Sequence, residues 1–188
     1  MKPNLKIFCS VCLFVLMVGC KNNTDQSAVS TKTETTQPQE RQGQAFIKDD
    51  VSKPNALQIA MNSKDHTTLV AAVKAAQLEN ALVNAGPLMV FAPTNEAFDA
   101  LPAGTLENLL KPENKAKLAY ILKHHVTPGN YSKEFLKRFE HLGQASNENV
   151  SVEVKGDDVY VGGAKIIASI PAGNGIVHVV DKVILPKK

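Results

Sequence analysis

The hydrophobic period changes part-way along this chain, and no other feature limits the possible folds as much. Up to about residue 125 apolar residues recur at helical spacing, whereas from Val150 onward they alternate with polar ones. Asn55 to Asn62 reads as a short first helix, and Leu69, Val70, Val73 and Ala76 follow at helical intervals after a capping Thr67 or Thr68. Leu78, Ala81 and Leu82 continue the apolar stripe until Gly86-Pro87 stops it, because glycine permits an unusual φ and proline lacks an N–H. Leu88 to Ala92 reads as a buried strand, broken by Pro93-Thr94-Asn95. Short helical patterns then carry Phe98 and Leu101, and Leu106, Leu109 and Leu110. The clearest helix begins after Pro112 and runs to about His125, with Leu118, Ile121, Leu122 and His125 on its inner face, before Pro128-Gly129 ends it.

Strand signals dominate afterwards. Val150, Val152 and Val154 alternate, Gly156-Asp157-Asp158 turns, and Val159 to Val161 returns. Ile166 to Ile170 and Ile176 to Leu185 complete the set, joined through Gly173-Asn174-Gly175. Helices crowd the first half and strands the second, which predicts an α+β domain with a mostly antiparallel sheet system.

The three cysteines stand at positions 9, 12 and 20, so no disulfide can form in the body and folding must rest on an apolar core. The formal charge of +3 falls to +1 once Lys2 and Lys6, in the first 19 residues, are set aside. A body so close to neutral, without tryptophan, has neither the basic field nor the stacking platforms that nucleic acid requires. No cofactor is implied.

The first residues read as an address. Lys2 and Lys6 precede an apolar run from Ile7 to Gly19, interrupted only by Ser10 and too short for a comfortable membrane span. Leu16-Met17-Val18-Gly19-Cys20 resembles a bacterial lipobox, with Met17 where leucine is usual, and the resemblance implies acylation of Cys20. Lys21 after the cysteine points, by Gram-negative sorting rules, to the outer membrane. Lys21 to Gln44 is polar apart from Ala28 and Val29, a composition that predicts a tether. The expected organisation is therefore a signal peptide over 1–19, lipidated Cys20 and linker over 20–44, and a folded domain over 45–188.

Three segments carry a family resemblance: VFAPTNEAF from Val90 to Phe98, LKHHVTPG from Leu122 to Gly129, and NGIVHVVDKVILP from Asn174 to Pro186. Together they resemble a fasciclin-like domain extending from about Ala56 to Pro186. The resemblance implies a wedge of two β-sheets with several packed helices, and a role in adhesion to other proteins or extracellular matrix. The family commonly places Tyr-His before Val in the central motif; here His125 matches the histidine and His124 replaces the tyrosine.

His125, on the apolar stripe near a helix end, is expected to donate to a carbonyl and pack its ring. His124 points off that stripe, which predicts an exposed imidazole available to a partner. The two are the candidate partner-binding residues, and adjacent helical positions make them a poor two-ligand metal clamp. His178 and Asp181 fall on opposite faces of a regular strand and read as pairing and turn-fixing groups. Thr94 and Asn95 read as capping groups. Without a Gly-x-Ser-x-Gly elbow or a phosphate loop, the expectation is a non-enzyme. The expected role is that of an envelope lipoprotein that contacts a cell-surface or matrix protein or a polysaccharide. A periplasmic binder of small molecules or glycans is the alternative, and a hydrolase or metal protein using the histidines the third reading.

Overall fold

The structure, a computed structural model, describes residues 53–84 and 86–186. The signal-peptide, Cys20 and linker readings all lie outside the described residues. The helices come first: α1 (Ala56–Met61), α2 (Thr67–Ala76) and α3 (Glu79–Asn84) precede strand β1 (Leu88–Pro93), and α4 (Asn95–Asp99), α5 (Thr105–Leu109) and α6 (Lys115–Lys123) follow it. The remainder is β2 (Val126–Pro128), α7 (Lys133–Leu136), β3 (His141–Gly143), β4 (Asn149–Lys155), β5 (Asp158–Val161), β6 (Ala164–Ala172) and β7 (Gly175–Val180). Helices dominate before the period change and strands after it, as expected of an α+β domain, although β1, β2 and β3 lie before it.

The strands lie in the order β2-β1-β7-β6-β5-β4-β3. Every neighbouring pair is antiparallel except β1 and β7, which run parallel in register from Leu88 opposite Gly175 to Pro93 opposite Val180. β6 belongs to two sheets: Ala164 and Lys165 pair with β5, and Ile166 to Ala172 pair with β7, with a register shift between Ile166 and Ala168. That bulge bends the ladder into the two faces of the wedge. At the far ends, the Ala145 N–H donates to the Val126 carbonyl at 2.7 Å, so the ladder nearly closes on itself.

β1 is buried on both faces, which is why it reads as an unbroken apolar run. Leu88, Val90 and Ala92 join a core with Leu57, Leu69, Val73, Leu118 and Leu122 from the helices. Met89 and Phe91 face a second core inside the sheets, with Leu136, Val159, Val161 and Ile166. Each large aliphatic side chain buried in this way contributes about 1.5–3 kcal/mol, and the two cores supply the apolar burial that a disulfide-free body needs.

Two polar residues stitch the layers. Asn174 accepts from the Ala56 N–H at 2.9 Å and donates to the Leu82 carbonyl at 2.7 Å, tying α1 and α3 to the turn before β7. Thr94 caps its own helix through the Ala97 N–H, but Asn95 caps a different one. Its Oδ1 accepts from the Thr68 N–H at 3.0 Å and the Thr67 hydroxyl at 3.2 Å, while its Nδ2 donates to the Lys64 carbonyl at 3.0 Å. α2 has no side-chain cap of its own, so Asn95 supplies one from 27 residues away. Asn95→Ala is therefore expected to cost about 1–2 kcal/mol, read as a lower urea midpoint with unchanged slope, and Asn95→Asp, which keeps the acceptor, less than half of that.

Candidate functional site

The candidate residues meet at the end of α6. The helix stops at Lys123, two residues short of the end the sequence suggests, and His124 is its C-terminal cap, with right-handed helical backbone angles. The apolar stripe therefore does not extend to His124, and the ring turns inward instead of into solvent. His124 is only 2% exposed, which corrects the expectation of an exposed imidazole. Its Nδ1 lies 2.9 Å from the Ser146 hydroxyl and 3.6 Å from Glu148 Oε2. Burial lowers the His124 pKa, with the Glu148 charge opposing the shift.

His125 behaves as its place on the stripe implies, and does more. Its Nδ1–H donates to the Ile121 carbonyl at 2.8 Å, which fixes the tautomer and leaves Nε2 to accept from the Ile184 N–H at 2.9 Å. The His125 carbonyl accepts from the Phe91 N–H at 2.8 Å. One residue thus joins all three sequence motifs, through Phe91, its own backbone and Ile184. Both ring nitrogens are occupied, and burial pushes the pKa down to about 4. The neighbouring rings engage different partners, so they do not form a shared two-nitrogen clamp.

A polar recess of about 510 Å³ opens beside His124, with Glu148, Asn149, Ser151 and Glu153 on its walls and Gly162-Gly163 at its edge. Glu148 is held from two sides, by the Tyr120 hydroxyl on Oε1 and by His124 near Oε2. Tyr120 and His124 are four residues apart, the spacing at which helical side chains share a face. The Glu148 carboxylate raises the Tyr120 pKa. Ser146 and Glu148 both approach the same nitrogen of His124. A hydrolytic triad needs the nucleophile and the acid on opposite ring nitrogens, so this cluster is built to present acceptors and donors and not to relay a proton. Tyr120, Ser146 and Glu148 were not legible as site residues, because the last two reach His124 only through the β3–β4 loop.

His178 and Asp181 take structural positions. The His178 Nε2–H donates to the Tyr131 carbonyl at 2.9 Å, and the Ser169 hydroxyl donates to Nδ1 at 2.8 Å. Its ring stacks on Phe91 at 5.7 Å between centroids. Asp181 accepts from the Lys165 N–H at 2.7 Å, fixing the exit of β7 against β6.

The family model for the Fasciclin domain matches residues 64–186, which hold all three motifs and the His124 recess. The chain belongs to the fasciclin-domain family. Protein sll1483 of Synechocystis sp. is 48% identical over 131 residues, covering 69% of this chain and 72% of that protein. Immunogenic protein MPB70 of Mycobacterium bovis is 33% identical over 133 residues, covering 68% of this chain and 66% of its own. Transforming growth factor-beta-induced protein ig-h3 of Sus scrofa is 33% identical over 150 residues, yet this fasciclin chain spans only 22% of its length. Among solved structures, a FAS1 domain pair from the insect cell adhesion molecule Fasciclin I shares the fold, with a TM-score of 0.62 at 16% identity over 72% of this chain and 52% of that one.

Proposed function

We propose that this chain is an envelope lipoprotein, moored by acyl groups on Cys20 at the outer membrane, whose fasciclin domain makes adhesive contacts with a protein, matrix or polysaccharide surface. The observation that carries the reading is the family match over residues 64–186, together with the cell adhesion molecule Fasciclin I among proteins of the same fold. The His124 recess is the proposed contact point. Glu148, Glu153 and Ser151 offer acceptors and donors at a groove mouth, and the Tyr120 and His124 contacts hold Glu148 in place before any partner arrives.

The lipobox-like sequence supports the mooring, since more than one acyl chain, at about 0.8 kcal/mol per buried CH₂, holds a protein stably at a membrane. A tethered domain sees nearby partners at high effective concentration, so a modest single-site affinity suffices. The test is attachment of cells carrying the wild type, Cys20→Ser, or a deletion of residues 64–186. Attachment is expected to drop in both variants; equal attachment in all three would sink the adhesive role.

A further inference from the structure

A second recess, bordered by Leu122, Lys123 and His125, is far less polar than the His124 recess. It is a cavity of about 240 Å³ between the helices α1 to α3 and the β1–β7 face, walled by Leu57, Val73, Leu82, Val90 and Val177 among others. Apart from Lys123 and His125, every side chain on its wall is apolar. Both His125 nitrogens are already spent on Ile121 and Ile184, so the imidazole offers an occupant no polar atom. Water needs two to four polar partners to settle in a cavity, and these walls do not provide them.

Two features choose the occupant. Lys123, the single charged residue bordering the cavity, is exposed and has no hydrogen bond or ion pair with another described residue. Ala81 is also exposed while lining the cavity, which places the mouth beside α3. A cation without a partner among the described residues, at the rim of a hydrocarbon-walled pocket, complements a molecule that is anionic at one end and aliphatic along the rest. A dry apolar cavity of about 150 Å³ takes up benzene, so this one admits roughly ten carbon atoms by the same scale.

We propose that this cavity binds a single-chain amphiphile with an anionic head: the aliphatic chain lies between the helical layer and β1, and the carboxylate or phosphate pairs with Lys123. This site is separate from the adhesive recess, and neither depends on the other.

The experiment titrates the full chain carrying Cys20→Ser, which removes any acyl group of its own, with straight-chain alkanoates of six to fourteen carbons and with 1-decanol. Affinity is expected to rise about fourfold per added methylene and to level off near ten carbons. Ala81→Trp, at an exposed position where folding is undisturbed, blocks the mouth and is expected to weaken decanoate binding at least tenfold. Val70→Trp serves as a second plug, each variant being checked for a native circular dichroism spectrum. Lys123→Glu is expected to weaken decanoate at least fivefold and to leave decanol within twofold. Affinity independent of chain length, undiminished binding in both tryptophan variants, or equal loss of decanoate and decanol with Lys123→Glu would each overturn the assignment.

Discussion

Gly175→Ala is expected to leave the chain without a native fold, because a β-carbon at that position would stand 1.8 Å from the Leu88 carbonyl oxygen and 2.7 Å from the Leu88 nitrogen and carbonyl carbon. These are backbone atoms of the adjacent strand, locked in the parallel β1–β7 register, so no rotamer change relieves the clash. The φ of +152° adds a conformation that residues with a side chain rarely adopt. Separating β1 from β7 would open both cores at once, since β1 contributes to each. The loss is expected to exceed about 4 kcal/mol, a large share of the roughly 5–15 kcal/mol that holds a typical domain folded. Gly156→Ala is the control: its φ is +62° but nothing lies within 4 Å of the added carbon, so it is expected to cost only about 1 kcal/mol. Circular dichroism and urea unfolding distinguish the two; a Gly175→Ala protein as stable as the Gly156→Ala protein would contradict the register.

The second large effect is acid lability centred on His125. Its folded pKa of about 4 lies below the ordinary 6.5, so between these values the unfolded chain takes up a proton that the folded chain refuses. Stability is therefore intact above pH 6.5, falls as the pH drops through that window, and has lost this contribution by pH 4. At about 1.4 kcal/mol per pH unit the loss is about 3 kcal/mol. His66, His124 and His178 are shifted the same way by burial and steepen the decline. Asp158, whose carboxylate Lys165 holds below the usual range, contributes in the same sense only at more acid pH. His125→Ala at neutral pH removes the buried ring and strands the Ile184 N–H, while the Ile121 carbonyl keeps the His124 N–H, at a cost of about 3–5 kcal/mol. Urea midpoints at pH 7, 5.5 and 4 measure the first effect, and a flat profile would refute it.

Local patterns made some of this fold legible and non-local ones hid the rest. The alternation from Val150 to Val161 yields β4, its turn and β5 because a half-buried strand shows its period directly. Leu88 to Ala92 was readable as a strand from its apolar run and its proline boundaries, but nothing in it announces that its longest neighbour is β7. Val126 to Pro128 looks like a helix terminator and is in fact strand β2, since three residues are too few to display a period. The one-turn helix α7 was missed although Ser132 caps it through the Phe135 N–H, a signal weak without an apolar stripe behind it. His125 could be placed from its stripe, whereas His124 could not, because the helix ends one residue before it. The apolar cavity has no sequence signature at all, being defined by where side chains fail to meet.

The pairing of β1 with β7 also sets an order of events. Leu88 and Gly175 stand 175 − 88 = 87 residues apart, so the ladder that shields β1 closes a long loop late. While the polypeptide is still being made, six consecutive apolar positions of β1 wait for a companion that is among the last strands to appear. β7 is thus the latch of this domain, and β1 stays without its parallel neighbour until Gly175 to Val180 have been synthesised.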